Sequence, residues 1–375
     1  MRTRANSASA AALLAMAAAT LGGCGKETNQ STTQPKVDIV PIGPLPKLDP
    51  QDPKVVELGK MLFFDGRLSG DGAISCATCH NPAKGWGDGM PLSAGYPGAL
   101  YFRNAKTILN SAHASTFYWD GRLDAGDPDT QVRDSLTEGH FMNMDGRLML
   151  ERLKQIPDYA QRFKEAMGGE PSFGRTLKAI AAFEKTIGSA GVPFDEGKLT
   201  PTAQRGKALF EGKAGCIQCH HGAYFSDGRP HRLGLPPSPE LAKDPLRAIT
   251  LRSFAKFMGT PSFETLREDP GYFVVSKSPK DRGKFVTPTL RELVHTAPYM
   301  HDGSMATLED VVAFYNKGGG DLPDKDPLLR PLSLSGAESK DLVEFLKSLS
   351  GAPVMVEKPA LPAYEVSQNW WKTPN

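Results

Sequence analysis

The sequence lacks an excess of either charge, a long apolar run and long alternating strands. Its 44 lysines and arginines nearly balance 42 aspartates and glutamates, so the formal charge of +2 gives no electrostatic basis for binding nucleic acid or a charged membrane surface. One Ala-rich apolar run, at residues 8–21, is too short to span a membrane comfortably. The absence of alternating strands disfavours a β-rich fold. What remains is an ordinary globular composition, 39% hydrophobic, in a chain long enough for two domains.

The N-terminus has the pattern of an export signal. Two arginines precede the apolar run, and a Leu-Gly-Gly-Cys sequence ending at Cys24 follows it. This resembles the lipobox of bacterial lipoproteins, in which the cysteine is lipidated and becomes the first mature residue. We therefore interpret residues 1–24 as a lipoprotein signal peptide and 25–47 as a flexible tether. Cleavage nearby, which would give a soluble periplasmic protein, is the alternative.

The other four cysteines form two copies of one motif, C-x-x-C-H. The copies span residues 76–80 (Cys-Ala-Thr-Cys-His) and 216–220 (Cys-Ile-Gln-Cys-His), and they are the only internal repeat evident in the sequence. Apart from Cys24, no cysteine lies outside them. The motif residues are Cys76, Cys79 and His80 in the first copy and Cys216, Cys219 and His220 in the second.

This motif predicts covalent haem attachment. Two thiols at this spacing can each form a thioether with one haem vinyl group, and the adjacent histidine is then placed as the proximal iron ligand. A C-x-x-C pair alone could instead form a redox disulfide or half of a zinc site. No βαβ pattern surrounds either copy, however, and a zinc site would leave both histidines unexplained. We therefore expect two covalently bound haem c groups.

The regular segments that can be recognised are helical. Five predicted helices are marked by N-terminal capping residues or by apolar residues three and four apart. They start at or just after Asp52, Phe173, Thr200, Thr307 and Ser335. The second of these is expected to continue to Ile187. The predicted fold class is all-α, with two cytochrome c-like haem domains and long ordered loops.

The spacing of the motifs and a Gly- and Pro-containing boundary suggest how the chain is divided. Residues 48–188 form the predicted N-terminal haem domain, 189–200 a linker, and 201–351 the C-terminal haem domain. Residues 352–375 form a Pro-rich tail, which includes two adjacent tryptophans at 370 and 371. We expect this tail to pack on its own, C-terminal domain.

From about residue 54 to 350, the chain resembles the bacterial di-haem cytochrome c peroxidase family, which includes the MauG-type enzymes. The resemblance depends on the two haem motifs and on the order and spacing of several shorter motifs. These are Leu58-Gly59-Lys60, Leu62-Phe63-Phe64-Asp65, Arg67-Leu68-Ser69, Arg103-Asn104, Trp119-Asp120-Gly121-Arg122, Lys207-Ala208-Leu209-Phe210, Thr287-Pro288-Thr289-Leu290-Arg291, Thr296 to Ser304 and Thr307-Leu308-Glu309.

The resemblance implies different roles for the two haems. The N-terminal haem, with His80 as proximal ligand, would bind peroxide, and the C-terminal haem, with His220, would transfer electrons. Trp119 matches the tryptophan that lies between the haems in this family; a core position is its alternative explanation. The resemblance also implies one calcium ion, held by Asn104, Thr296 and Pro298, and haem-propionate contacts from Arg103 and His301.

Three positions depart from the typical peroxidase pattern. Tyr315 occupies the position of the methionine that ligates the electron-transfer haem, and MauG-type enzymes have tyrosine there. We expect Tyr315 to ligate that haem, with a core tyrosine as the alternative. Tyr96 replaces the distal histidine of peroxidases that require reductive activation, so we expect an open peroxidatic iron, with a tyrosine plug as the alternative. The distal glutamate has no clear counterpart. Glu138 and His140 lie beside the expected position and are our candidates for the acid–base group, with solvated loop residues as the alternative.

The expected activity is therefore that of a di-haem peroxidase acting on hydrogen peroxide. Its electrons would come from a small c-type cytochrome, from a copper protein, or from the side chains of a protein substrate. We expect a periplasmic location, with membrane contact only through the lipid on Cys24, and no nucleic-acid partner. The alternative is a di-haem electron carrier without peroxidase activity.

Overall fold

The computed structural model describes residues 38–364, which include both C-x-x-C-H motifs. The signal sequence, most of the tether and residues 365–375 lie outside this range, so the predictions for Cys24 and the paired tryptophans are outside the described residues. About 40% of the described chain is helical and 4% is strand, which confirms the expected helical fold class. None of the helices in this range is long and apolar enough to cross a membrane.

The α-helices are mostly short and are separated by ordered loops. They are α1 Pro53–Phe63, α2 Cys76–Cys79, α3 Pro128–Thr137, α4 Gly146–Lys154, α5 Pro157–Met167, α6 Phe173–Glu184, α7 Pro201–Glu211, α8 Pro239–Lys243, α9 Pro245–Phe257, α10 Phe273–Ser276, α11 Leu308–Asn316 and α12 Gly336–Lys347. Single 3-10 turns lie at Gly66–Leu68, Pro82–Lys84, Ser111–His113, Cys216–Gln218, Phe263–Thr265, Pro279–Asp281 and Leu293–His295.

The five helix starts predicted from the sequence are confirmed. Asp52, Ser172, Thr200, Thr307 and Ser335 each accept a hydrogen bond from a backbone N–H in the first turn of the following helix. Such caps satisfy donors that have no partner inside the helix. The predicted extension of the second helix to residue 187 is wrong, since α6 ends three residues earlier.

Between residues 38 and 364, strand structure is limited to two pairs of strands of two residues each. Thr116–Phe117 (β1) pairs antiparallel with Leu123–Asp124 (β2), and the turn between them carries Trp119. Pro230–His231 (β3) pairs antiparallel with Phe285–Val286 (β4). The second pair closes a long excursion of the chain between the second motif and the segment that follows α10.

The described residues form one compact unit that contains two similar helix pairs. In the N-terminal half, α1 packs on α6 across Gly59, where an added Cβ would lie 1.8 Å from the Ala179 carbonyl oxygen. In the C-terminal half, α7 packs on α12 across Gly206, where it would lie 1.9 Å from the Asp341 carbonyl oxygen. One motif packs against the core around each pair, through Cys76 and Ala77 in the first and Cys216 and Ile217 in the second. The internal repeat is therefore larger than the motifs themselves, although the domain limits stay predictions.

The buried apolar side chains form three clusters. One contains only residues from 58 to 187 and a second only residues from 210 to 349. The third joins segments around residues 92–102 to α9 and its neighbours. The described part of the Pro-rich tail does not pack where the sequence predicted. Val354, Val356 and Leu361 lie against the first cluster, in the N-terminal half.

Candidate functional site

The first motif lies at the surface of the N-terminal core. Its two cysteines begin and end α2 and are not joined in a disulfide. The Nδ1 atom of His80 lies 3.0 Å from the backbone oxygen of Trp86. If Nδ1 carries the proton, this contact is a hydrogen bond that leaves the lone pair of Nε2 for a metal. Burial lowers the pKa of His80, which favours the neutral imidazole required for ligation.

The second motif repeats this geometry in the C-terminal half. The Nδ1 atom of His220 lies 3.0 Å from the backbone oxygen of Phe225. Burial lowers the pKa of His220 to about 4, so its imidazole is neutral at physiological pH. Burial also raises the pKa of the Cys216 thiol to about 12. Such a buried thiol is a poor free thiolate, which fits a cysteine consumed in a thioether better than a redox-active one.

A partly buried ion triad lies beside Cys219. His231 Nε2 lies 2.8 Å from Asp227 Oδ2, and its Nδ1 lies 2.6 Å from Asp326 Oδ2. Burial opposes protonation, but the two carboxylates outweigh it and raise the pKa of His231 to about 12. Cys219, Asp227 and His231 are close enough to suggest a metal cluster. Both imidazole nitrogens are engaged by carboxylates, however, so an ion pair explains the group better.

A cavity of about 280 Å³ extends from the second motif towards the N-terminal half. Cys216, Cys219 and His220 line one part of it, and Tyr315 of α11 lines the same space. Its other end reaches Trp119. A largely apolar cavity that contains two unpaired thiols, a neutral imidazole and a phenol fits a covalently attached haem.

Trp119 is held rigidly where the cavity meets the N-terminal half. It is 9% exposed, and its indole Nε1 donates to the backbone oxygen of Asn104 at 3.0 Å. The Nζ atom of Lys106 lies 5.5 Å from the centre of its ring. A large aromatic group in a fixed position beside a cofactor cavity can relay electrons as well as fill space.

The three predicted calcium ligands lie around the same cavity. Asn104, Thr296 and Pro298 all line it. The Nδ2 atom of Asn104 donates to Met90 O at 2.8 Å, which leaves the amide oxygen free to face a cation. One amide oxygen and two backbone carbonyls, completed by water, are a donor set that calcium accepts. The residues present therefore fit the ion.

The two tyrosines that depart from the typical pattern lie in different surroundings. Burial, and next the nearby Cys219 and Cys216 thiols, raise the pKa of Tyr315 well above its usual value. A phenolate there would need a compensating cation, which a ferric iron would supply. Tyr96 lies away from that cavity, on the side of the first motif. Its hydroxyl lies 3.0 Å from the position that a Cβ on Gly70 would take.

Arg103 lies at the centre of a buried charge network. Its guanidinium donates to Asp120 Oδ2 at 2.6 Å and to both carboxylate oxygens of Asp269, at 2.5 and 2.9 Å. Asp120 also accepts from Arg122 at 3.3 Å. These contacts use three of the five N–H donors of the guanidinium, and the predicted contact with a haem propionate stays a prediction. His301, the other predicted propionate partner, does line the cavity.

The same network contains both acid–base candidates. Arg122 donates to Glu138 Oε2 at 3.2 Å, and that oxygen lies 2.9 Å from His140 Nε2, outside the angle of a good hydrogen bond. Each of the two side chains is only 10% exposed, so they are not the solvated loop residues of the alternative explanation. Tyr101 stacks on the His140 ring at 5.3 Å, and burial lowers the pKa of His140.

This pair lies near the first motif. The backbone oxygen of His140 accepts from Tyr96 N, and Met142 Sδ lies 3.8 Å from Cys76 Sγ. The sequence suggested Glu138 and His140 by position, and their acid–base role stays a prediction. It gave no role to Asp120, Arg122 or Asp269, although the first two belong to the motif that begins at Trp119.

Comparisons with known proteins agree with this arrangement. The family model described as di-haem cytochrome c peroxidase matches residues 53–200. The chain is 48% identical over 331 residues to cytochrome-c peroxidase IdrP2 of Pseudomonas sp. (strain SCT), covering 87% of this chain and 89% of that relative. It is 38% identical over 327 residues to the methylamine utilization protein MauG of Methylorubrum extorquens, covering 85% and 84%.

Solved structures show the same similarity. The crystal structure of a MauG-like protein associated with microbial copper homeostasis superimposes with a TM-score of 0.69 at 29% sequence identity. The match covers 84% of this chain and 94% of that chain. The likeness therefore extends over most of both chains.

Proposed function

Because the chain belongs to the di-haem cytochrome c peroxidase family, we propose that it reduces hydrogen peroxide at an N-terminal haem with electrons that pass through a C-terminal haem. The observation that carries the proposal is the shared geometry of the motifs. In each motif the histidine Nδ1 lies 3.0 Å from the backbone oxygen of a buried residue, beside two cysteines that form no disulfide. Trp119 lies between the two halves that hold them.

When bound, the two haems would supply one-electron redox centres and, at one iron, a site for peroxide. His80 would hold the N-terminal iron and His220 the C-terminal one. Trp119 is placed to carry electrons between them, since it borders the C-terminal cavity and is hydrogen-bonded to Asn104 in the N-terminal half. Its rigid indole needs little reorganisation when an electron passes.

Peroxide reduction also requires protons, and Glu138 and His140 are the candidates to deliver them. Heterolysis of the O–O bond needs a proton on the leaving oxygen, which a positioned acid–base group supplies. Glu138 Oε2 contacts both Arg122 and His140, so both neighbours hold its position. Arg122 holds the carboxylate, and the neutral imidazole of His140 can accept or return its proton.

Tyr315 would be the second ligand of the C-terminal iron. It reaches the same cavity as His220, and a phenolate donor stabilises ferric and higher iron states relative to a methionine thioether. This favours a MauG-type variation on the peroxidase. Asn104, Thr296 and Pro298 would hold one calcium ion beside Trp119.

The proposed setting is the periplasm, where c-type cytochromes of this family operate, with a lipid anchor on Cys24. The proposed reductant is a small c-type cytochrome, a copper protein or the side chains of a protein substrate. Exchange with such a partner requires only that electrons reach the C-terminal haem.

Stopped-flow spectroscopy with stoichiometric peroxide tests the proposal against an inert electron carrier. We expect rapid binding of either peroxide or cyanide at one haem, and, with peroxide only, subsequent oxidation of the second haem. Trp119→Phe should preserve the first step and slow the second. If neither haem binds cyanide or peroxide in the oxidised or the reduced state, the chain is an electron carrier and the proposal is wrong.

A further inference from the structure

The two proposed proximal histidines make the same contact through unusual backbone positions. The oxygens that face their Nδ1 atoms belong to Trp86 and Phe225, both fully buried. Both residues have positive φ angles, +60° at Trp86 and +54° at Phe225. A bulky side chain in this region is strained and persists only where its surroundings hold it. The packing of each ring therefore fixes the carbonyl that faces a histidine.

The two rings differ in one polar group. Phe225 packs among side chains and needs no acceptor, with its ring centre 5.3 Å from that of Phe194, 6.0 Å from that of Phe210 and 5.4 Å from the Arg291 guanidinium. Trp86 packs similarly, 5.9 Å from Phe63 and 6.1 Å from Phe183. Its indole N–H, however, is buried and needs an acceptor, because an unpaired buried donor is costly.

The C-terminal segment of the chain provides that acceptor. Trp86 Nε1 donates to the backbone oxygen of Val354 at 2.8 Å. Val354 belongs to residues 352–364, which we call the C-terminal strap. The strap leaves the C-terminal half after α12 and crosses to the N-terminal core, where Val356 and Leu361 also pack. A segment from the far end of the chain therefore reaches the residue that faces His80.

The other end of the strap is anchored independently. Arg67 donates to the backbone oxygen of Pro362 at 2.8 Å, and its guanidinium lies 5.1 Å from the ring centre of Tyr364. Arg67 is held in turn by Asp65, to which it donates two hydrogen bonds, from Nε to Oδ1 at 2.8 Å and from Nη2 to Oδ2 at 2.6 Å. The strap is thus fixed on both sides of its contact with Trp86.

We propose that the C-terminal strap is a positioning element for His80 and not for His220. By holding the indole of Trp86, it holds the strained backbone whose carbonyl accepts from His80. The direction and strength of such a bond set the orientation and basicity of a ligating imidazole. The strap would therefore tune the N-terminal iron, where peroxide is proposed to bind, separately from the C-terminal iron. This inference rests on the proposed function, since it takes His80 as the proximal ligand.

Trp86→Phe in the full-length haem-loaded protein is the test, because it keeps a buried ring and removes only the N–H and part of the ring system. We expect the Fe–His stretching frequency of the reduced N-terminal haem, measured by resonance Raman spectroscopy, to fall. Its reduction potential should rise, because a weaker hydrogen bond makes the imidazole less basic. Both quantities should stay unchanged at the C-terminal haem.

Two shortened chains separate the strap from the residues after it. A chain that ends at Tyr364 keeps the strap and should match the full-length protein. A chain that ends at Gly351 lacks the strap and should reproduce the shifts of Trp86→Phe. If that shorter chain does not fold, the point variant alone decides.

Unchanged frequency and potential in Trp86→Phe, or equal shifts at both haems, would overturn the proposal. Failure of the proposed function can be distinguished from failure of the strap proposal, because it is detected in the protein without any substitution. A pyridine haemochrome assay that finds fewer than two haems per chain refutes the haem assignment itself. Two haems with no selective shift refute only the role of the strap.

Discussion

Replacing Asp120 with asparagine should destabilise the protein strongly, because this carboxylate joins two buried arginines. Its side chain is fully buried, 2.6 Å from Arg103 and 3.3 Å from Arg122. Asp269 would still pair with Arg103, and Glu138 with Arg122. In Asp120→Asn, however, the guanidinium groups of Arg103 and Arg122 would both face a neutral amide in the buried interior. Removing one partner of a buried ion pair lowers the free energy of unfolding by about 3–5 kcal/mol.

Thermal unfolding of the haem-loaded protein, followed by far-ultraviolet circular dichroism, measures this loss. At roughly 2 °C per kcal/mol for a chain of this size, the midpoint should fall by about 6–10 °C. Asp321→Asn is a matched control, since Asp321 is exposed; it should change the unfolding free energy by less than about 0.5 kcal/mol. A loss of under about 1 kcal/mol in Asp120→Asn would refute a tightly coupled network, since that is the range of exposed pairs.

The pH dependence gives a second check on the same residue. Burial by itself raises the pKa of Asp120, but Arg122 and Arg103 outweigh it, so the pKa lies below its usual value. A depressed folded-state pKa adds stability above the unfolded value of about 3.9, and this stability is lost as the pH falls through the folded pKa. The difference between the wild type and Asp120→Asn should therefore be constant near neutral pH and shrink below about pH 4.

Three further predictions concern the proposed chemistry. Glu138→Gln should lower kcat/KM for peroxide by about 10²–10⁴-fold while leaving cyanide binding intact, and unchanged turnover would exclude Glu138 as the proton donor. Tyr315→Phe should alter the optical and EPR spectra of the C-terminal haem and raise its potential, because a phenolate donor is lost; identical spectra would mean that Tyr315 is not a ligand. Removing calcium with a chelator should slow electron transfer between the haems reversibly, and metal analysis that finds no bound calcium would contradict the site.

Much of the chemistry was predictable because it depends on short stretches of chain. The haem motifs need only two thiols and an imidazole at fixed spacing, and the helix starts need only a capping residue and proline. Tyr315 and Trp119 were identified by their distance from recognisable motifs, and both line the cavity beside the second motif. These features depend on residues that are close together in the chain, so they can be recognised in a single sequence.

What the sequence did not predict depends on contacts between distant segments. Arg103 pairs with Asp120 and with Asp269, which is 166 positions away, and nothing in the sequence indicated this network. The tail was expected to pack on its own half, yet Val354 bonds to Trp86 across 268 positions. The sequence also did not show the repeated helix pair. Gly59 and Gly206 both allow a second helix to pack closely, and this is visible only once the partner helix is in place.

The sequence by itself determined where two haems would be attached, where the main helices begin and which family the chain resembles. The pairing of the buried charges, and the half of the protein on which the tail packs, are evident only in the folded chain. The physical reason is that covalent attachment and capping depend on neighbours a few residues apart. The partner of a buried guanidinium or indole N–H, by contrast, is whichever acceptor the folded chain brings within about 3 Å.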